Sequence, residues 1–169
     1  VDNLNSYYSV KLKKLRLNIL KKNKKFKFFK IDISNYNKLK KIFNENKFDI
    51  VINLAAQAGV RYSIINPKDY VQTNILGFFN ILELCRIKKI KNFFYASSSS
   101  VYGNDNNFNE KFFQKNVSSI YAATKVCNEI FANVYNYLYG INTLGLRFFT
   151  VYGPYGREDM AYYKFLNQI

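Results

Sequence analysis

The feature that most constrains this chain is the alternation of short apolar runs with segments of helical period. Asp49 to Leu54, Ile90 to Ala96 and Asn142 to Phe149 are compact runs rich in Ile, Val, Phe and Leu. Between them apolar residues recur at spacings of three and four. Strands separated by single helices run parallel, because each helix carries the chain back to the starting edge of the sheet. The expected architecture is α/β, a doubly wound parallel sheet with helices on both faces. Asp49 to Leu54 reads as a strand buried on both sides.

The remaining elements follow from periodicity and stop signals. Tyr8, Leu12, Leu15 and Ile19 predict a first helix. Phe26 to Ile33 reads as a strand. Ser34 is the expected N-cap of a helix that turns Leu39, Ile42 and Phe43 inward. Pro67 suits the first turn of a helix with Val71, Ile75, Phe78, Leu82 and Cys85 as its apolar stripe. Ser97 to Ser119 is polar and loop-like. Ile120 to Tyr139 reads as a helix with Cys127, Ile130, Val134 and Leu138 on its apolar side, ended by Gly140. A short helix is expected after Gly156.

Composition narrows the function classes. A chain of 169 residues suits one domain, and 49% hydrophobic residues allow a real core. The formal charge of +15 invites a nucleic-acid reading. The lysines, however, are spread along the whole chain, as on solvated faces, and no nucleic-acid partner is expected. There are two cysteines and no histidine, which excludes His-based triads and leaves no zinc-ligand spacing. Cys85 and Cys127 fall on apolar helix faces, so free thiols in a reducing cytoplasm are expected. No apolar run approaches the ~20 residues of a membrane span.

Parallel sheets of this kind bind ligands at the carboxyl ends of their strands. That rule selects Asp2, Asp32, Ala55 to Arg61, Ser97 to Ser100 and Thr150 to Arg157. Beside them stands Tyr121-Ala122-Ala123-Thr124-Lys125. A phenol and an ammonium at i and i+4 share one helix face. The cation favours phenolate, which suits the phenol to take a proton from a hydroxyl. The alternative is a surface Tyr–Lys pair. Ser97 to Ser100, after an apolar strand, adds hydroxyls where the sheet opens its cleft. An ordinary Ser-rich loop is the alternative there.

Ser97-Ser98-Ser99-Ser100-Val101-Tyr102-Gly103 followed by Tyr121 and Lys125 resembles the extended short-chain dehydrogenases, the NAD-dependent epimerase/dehydratase family. The resemblance runs along nearly the whole chain. It implies a Rossmann-like NAD-binding domain over residues 1–169, with Ser98 as the catalytic hydroxyl, Tyr121 as base and Lys125 as its partner and ribose ligand. It also implies NAD contacts at Asp2, Asn3, Asp32, Ile33, Leu54, Ala55 and Ala56. An Asp at position 2 can accept from both ribose hydroxyls, which favours NAD over NADP. Capping is the alternative role of Asp32. The family's Gly-rich turn is absent and the chain begins at Val1. The first strand, that turn, the first helix and most of the C-terminal substrate-binding region are therefore expected to be missing.

Within the family, Ala55 to Ser63 and Phe148 to Arg157, continued by Asp159-Met160-Ala161, are similar to UDP-glucuronate 4-epimerases. The substrate contacts this implies are Arg61, Ser99, Ser100, Thr150 and Arg157. Arginines offer forked donors to carboxylate or phosphate. A UDP-sugar substrate, a homodimer and a cytoplasmic location are expected, with no metal. The nearest rivals are a UDP-glucose 4-epimerase and a nucleotide-sugar 4,6-dehydratase. Dehydratases place Asp and Glu after the catalytic hydroxyl, where this chain has Ser99 and Ser100. The rival from another class is a non-catalytic or basic-surface binding module.

Overall fold

The computed structural model describes residues 1–104, 108–111 and 116–169. The chain divides into two compact units, Ile31–Phe149 and Val1–Lys30 with Thr150–Ile169.

The larger unit is built on three parallel strands in the order β1-β2-β3: Ile50–Asn53, Asn92–Ala96 and Asn142–Leu146. Its helices are α2 (Tyr36–Glu45), α3 (Tyr62–Ile65), α4 (Pro67–Tyr70), α5 (Phe78–Ile87) and α6 (Ile120–Tyr139). A π-helical segment, Val71–Gly77, joins α4 to α5, and a 3₁₀ turn, Ser99–Tyr102, follows β2. This is the Rossmann-like arrangement that the alternation predicts. Pro67 occupies the first turn of α4, and Gly140 ends α6 in the left-handed region (φ 62°).

The core lies on one face of the sheet. Leu39 and Phe43 of α2, Phe78, Leu82 and Cys85 of α5, Ala132 and Tyr135 of α6, and Phe93 and Tyr95 of β2 form one buried cluster. Phe78 meets Phe93 and Tyr95 edge-on at 5.4 and 5.2 Å. The Tyr95 ring can lie against β3 only because position 145 is glycine; a Cβ there would sit 2.5 Å from its hydroxyl.

Four expectations are corrected. Phe26 to Ile33 forms no strand; Lys30 makes one parallel bridge to Asp2. The N-cap of α2 is Asn35, whose side chain accepts from Lys38, rather than Ser34. The β1 run is not buried on both sides: Ile52 is 61% and Leu54 63% exposed, while Val51 and Asn53 face the helices. On α6 the buried face carries Ala122, Thr124, Lys125, Asn128, Ala132 and Tyr135. The apolar stripe of Ile130, Val134 and Leu138 is exposed. Periodicity identifies a stripe, but the neighbours decide which stripe they cover.

The smaller unit holds α1 (Val10–Lys21) and α7 (Ala161–Leu166). Ser9 caps α1, accepting from the Leu12 amide. Only part of the expected α1 stripe is covered, since Leu15 and Ile19 are 48% and 40% exposed. No helix among the described residues is long and apolar enough to cross a membrane.

Candidate active site

The site of the larger unit is assembled by α6, β2 and the turn after β2. Ser119 caps α6, its hydroxyl accepting from the Ala122 amide at 3.1 Å. Such a cap is worth ~1 kcal/mol and defines where the first helical turn begins. Tyr121 therefore lies in that first turn, and Lys125 one turn further on the same face. The Lys125 ammonium stands 5.8 Å from the centre of the Tyr121 ring. The Tyr121 ring also packs edge-on against Tyr70 at 6.1 Å.

Lys125 is buried, 3% exposed, and its Nζ donates to the Ala96 carbonyl at 2.7 Å. Burial lowers its pKa from 10.5 to about 8, because a charge removed from water is disfavoured. An ammonium has three donors, so beyond the Ala96 carbonyl Lys125 can also serve hydroxyls of a ligand. Ser98 follows Ser97 at the end of β2 and is also buried. Its hydroxyl accepts from the Ser100 amide at 3.1 Å, which makes it the cap of the Ser99–Tyr102 turn. Helix α6 packs against that turn. Ser98, Tyr121 and Lys125 thus belong to adjoining elements of one unit.

A buried polar ladder supports this arrangement from below. Asn74, in the π-helical segment, accepts from the Gln57 amide at 2.7 Å and donates to the Gln57 carbonyl at 3.0 Å. It also donates to the Thr124 hydroxyl at 3.1 Å, which in turn donates to the Tyr121 carbonyl at 2.7 Å. The Tyr70 hydroxyl donates to the Ala58 carbonyl at 2.7 Å. The loop after β1 and the first turn of α6 are therefore joined through one asparagine. Single-turn π segments often occur where a helix must present such a group. Sequence reading missed Asn74, Gln57 and Tyr70. The one available signal was a polar Asn within an otherwise apolar helical stripe.

The expected cofactor contacts fall as follows. Asp32 accepts from the amide and hydroxyl of Ser34 at 2.9 and 2.7 Å. The Ile33 side chain is buried in the core and lies against Gly77, where a Cβ would come within 2.6 Å. Only its backbone can meet a ligand. Leu54 is exposed, and the Ala55 amide donates to Asn53 at 3.1 Å. Ala55 and Ala56 present no bulk beyond a methyl group. Arg61 is exposed, and Ser99 and Ser100 are half-buried.

Asp2, Asn3, Thr150 and Arg157 belong to the smaller unit. Asp2 accepts from the Leu4 amide at 2.6 Å, and Asn3 from the Asn5 amide at 3.0 Å. Thr150 is exposed. Arg157 grips Asp159 through both arms at 2.9 and 2.5 Å, and Tyr7 donates to the same carboxylate at 3.1 Å. A role for Arg157 toward phosphate would require Asp159 to share it.

A parallel sheet with a serine turn at the end of its middle strand and a Tyr-x-x-x-Lys helix beside it defines a short-chain-dehydrogenase type of protein. Residues 3–169 match the NAD dependent epimerase/dehydratase family, and the chain belongs to that family. It is 52% identical over 171 residues to Protein CapI of Staphylococcus aureus, covering 100% of this chain and 51% of that protein. It is 47% identical over 170 residues to the UDP-glucuronate 4-epimerase of Thermodesulfobacterium geofontis, covering 100% of this chain and 53% of the relative. Among solved structures, it resembles the UDP-glucuronic acid 4-epimerase from Bacillus cereus in complex with UDP-glucuronic acid and NAD. The TM-score is 0.88 at 34% identity, over 99% of this chain and 52% of that one. The Thermus thermophilus UDP-glucose 4-epimerase complex with NAD follows at TM-score 0.73 and 32% identity, over 78% of this chain and 43% of that one. The chain spans about half the length of the curated relatives it matches.

Proposed function

We propose that residues 1–169 carry the NAD-binding and catalytic part of a nucleotide-sugar 4-epimerase that interconverts UDP-glucuronate and UDP-galacturonate. The observation that carries this reading is the desolvated Lys125 on the Tyr121 face of α6, held to the end of β2 beside Ser98. The relatives and solved structures named for UDP-glucuronate support this sugar over others.

The residues present suit NAD. Lys125 offers donors to ribose hydroxyls, Asp32 offers a carboxylate, and Ala55 and Ala56 permit close approach of a ligand. Bound there, NAD would supply a reversible hydride acceptor for C4 of the sugar. Tyr121 takes the proton of the C4 hydroxyl, and the positive charge of Lys125 stabilises the phenolate that does so. Ser98 hydrogen-bonds the same oxygen and polarises it. Tyr121 gives the same proton back to that oxygen when the hydroxyl is restored.

The serine at each of positions 99 and 100 bears on the choice of reaction. Neither hydroxyl can act as the acid–base pair that expels water, which argues against a 4,6-dehydratase. Both can hydrogen-bond a sugar carboxylate without the tight ion pair of an arginine. Oxidation at C4 makes the sugar a β-keto acid, and such acids lose carbon dioxide readily when the carboxylate stands perpendicular to the ketone. Neutral donors that orient the carboxylate protect against that loss.

The test is turnover by the intact protein. Incubation with UDP-glucuronate and no added cofactor is expected to yield UDP-galacturonate, resolved by anion-exchange chromatography, with no UDP-pentose. Epimerisation of UDP-glucose at the greater kcat/KM would replace UDP-glucuronate as the substrate. Absence of turnover with both sugars would remove the epimerase reading.

A further inference from the structure

Lys125 and Glu129 are the only charged residues of α6. With Tyr121 they occupy positions i, i+4 and i+8, which share one face. Glu129 is a hub. Its Oε1 accepts from the Ser97 hydroxyl at 2.5 Å and from Nε of Arg147 at 3.0 Å, and its Oε2 accepts from the other arm of Arg147 at 2.9 Å. The two charged side chains are only 14% and 15% exposed. Helix α6 thus holds the last residue of β2 and the one after it: Lys125 holds the Ala96 carbonyl, and Glu129 holds the Ser97 hydroxyl. The next residue is Ser98.

The other side of the serine turn is tied to the same carboxylate. Arg147 follows β3, and its guanidinium lies 4.8 Å from the centre of the Tyr102 ring, at the end of the turn. The backbone pairs Ser97 with Leu146 at 2.9 Å and Ser99 with Phe148 at 2.8 Å. Glu129 therefore bears on the segment containing Ser98 from before it, through Ser97, and from after it, through Arg147 and Tyr102. A bidentate Arg–carboxylate pair fixes orientation as well as distance.

We propose that Glu129 is a positioning residue that keeps the Ser98 hydroxyl in register with Tyr121 and Lys125. The proposal rests on the reading of those three residues as the reacting group of an epimerase. Glu129 touches no reacting atom; it acts through Ser97 and Arg147. Glu129→Gln keeps an acceptor for Ser97 and removes the charge that holds Arg147. Misplacement of a reacting group by ~1 Å can cost about 100-fold, so the variant is expected to lose about 10- to 100-fold in kcat. KM for UDP-glucuronate and the amount of bound NAD are expected to stay at the parent values. Ser97→Ala cuts one of the two links and is expected to shift kcat in the same direction by less.

The measurement is kcat, KM and bound NAD in the intact protein, with the folded fraction followed by circular dichroism. Parent-like kcat in both variants overturns the proposal, as does a loss that only tracks the folded fraction. If Glu129→Gln does not fold, Ser97→Ala carries the kinetic test alone. Crystal structures of the parent and a folded variant give a readout independent of turnover. A Ser98 hydroxyl displaced from Tyr121 in the variant supports the proposal, and an unmoved one overturns it. A parent that turns over no UDP-sugar defeats the epimerase reading, while this comparison still decides the placement of Ser98.

Discussion

Tyr121→Phe in the intact protein is expected to reduce UDP-glucuronate epimerisation by at least ~100-fold and by as much as ~10,000-fold, the usual contribution of a positioned general base. The substitution keeps the ring, and with it the edge-on contact to Tyr70 at 6.1 Å. It also keeps the backbone carbonyl that accepts from Thr124, so the first turn of α6 is undisturbed. What is lost is the one group assigned to take the C4 proton. KM and bound NAD should therefore change little, and the loss should fall on kcat. Ser98→Ala is expected to be milder, since that hydroxyl polarises the oxygen without taking its proton. Steady-state kinetics with both nucleotide sugars is the check. Near-normal epimerisation by Tyr121→Phe, with NAD bound, would remove the central claim of the proposed mechanism.

Lys125→Met is expected to split function from stability. Turnover should fall by at least about 100-fold, because the phenolate loses its cation, and NAD should be retained poorly, because ribose loses its donors. Stability moves the other way. The folded-state pKa of Lys125, about 8, lies below its ordinary 10.5. The group binds a proton more weakly when folded, so its charge costs stability in full below pH 8. That cost disappears as pH rises through 8 toward 10.5. A gap of this size corresponds to about 3 kcal/mol, offset in part by the lost hydrogen bond to the Ala96 carbonyl. Denaturant unfolding of cofactor-free parent and variant between pH 7 and 10.5 is the measurement. The parent should gain about 3 kcal/mol relative to the variant over that range. A pH-independent difference would show that Lys125 is not desolvated in the folded protein.

Both predictions place the cost of this site on α6. Here α6 buries Thr124, Lys125 and Asn128 and leaves Ile130 at 45% and Leu138 at 57% exposure. Lys125 and Thr124 find partners on β2 and the π-helical segment. Such networks are costly when incomplete, so single changes at Asn74 or Glu129 are expected to reach the site without touching a ligand.

Much of this was legible in the sequence because it is local. The bounds of α6, Ile120 to Tyr139, were legible from the helical period and from a terminal Gly, whose conformational demands involve neighbouring residues only. Strand–helix alternation determined that the strands run parallel, and i, i+4 spacing placed Tyr121 and Lys125 on one face. What only the tertiary structure decided depends on residues far apart in the chain. Whether Phe26 to Ile33 pairs as a strand, and which faces of β1 and α6 are covered, depends on what packs beside them. The links from Glu129 to Ser97 and Arg147 span 32 and 18 residues, and those from Asn74 to Gln57 and Thr124 span 17 and 50. Periodicity carries no information at such separations. A carboxylate on a helix becomes a clamp only when the fold brings a hydroxyl and a guanidinium within hydrogen-bond reach.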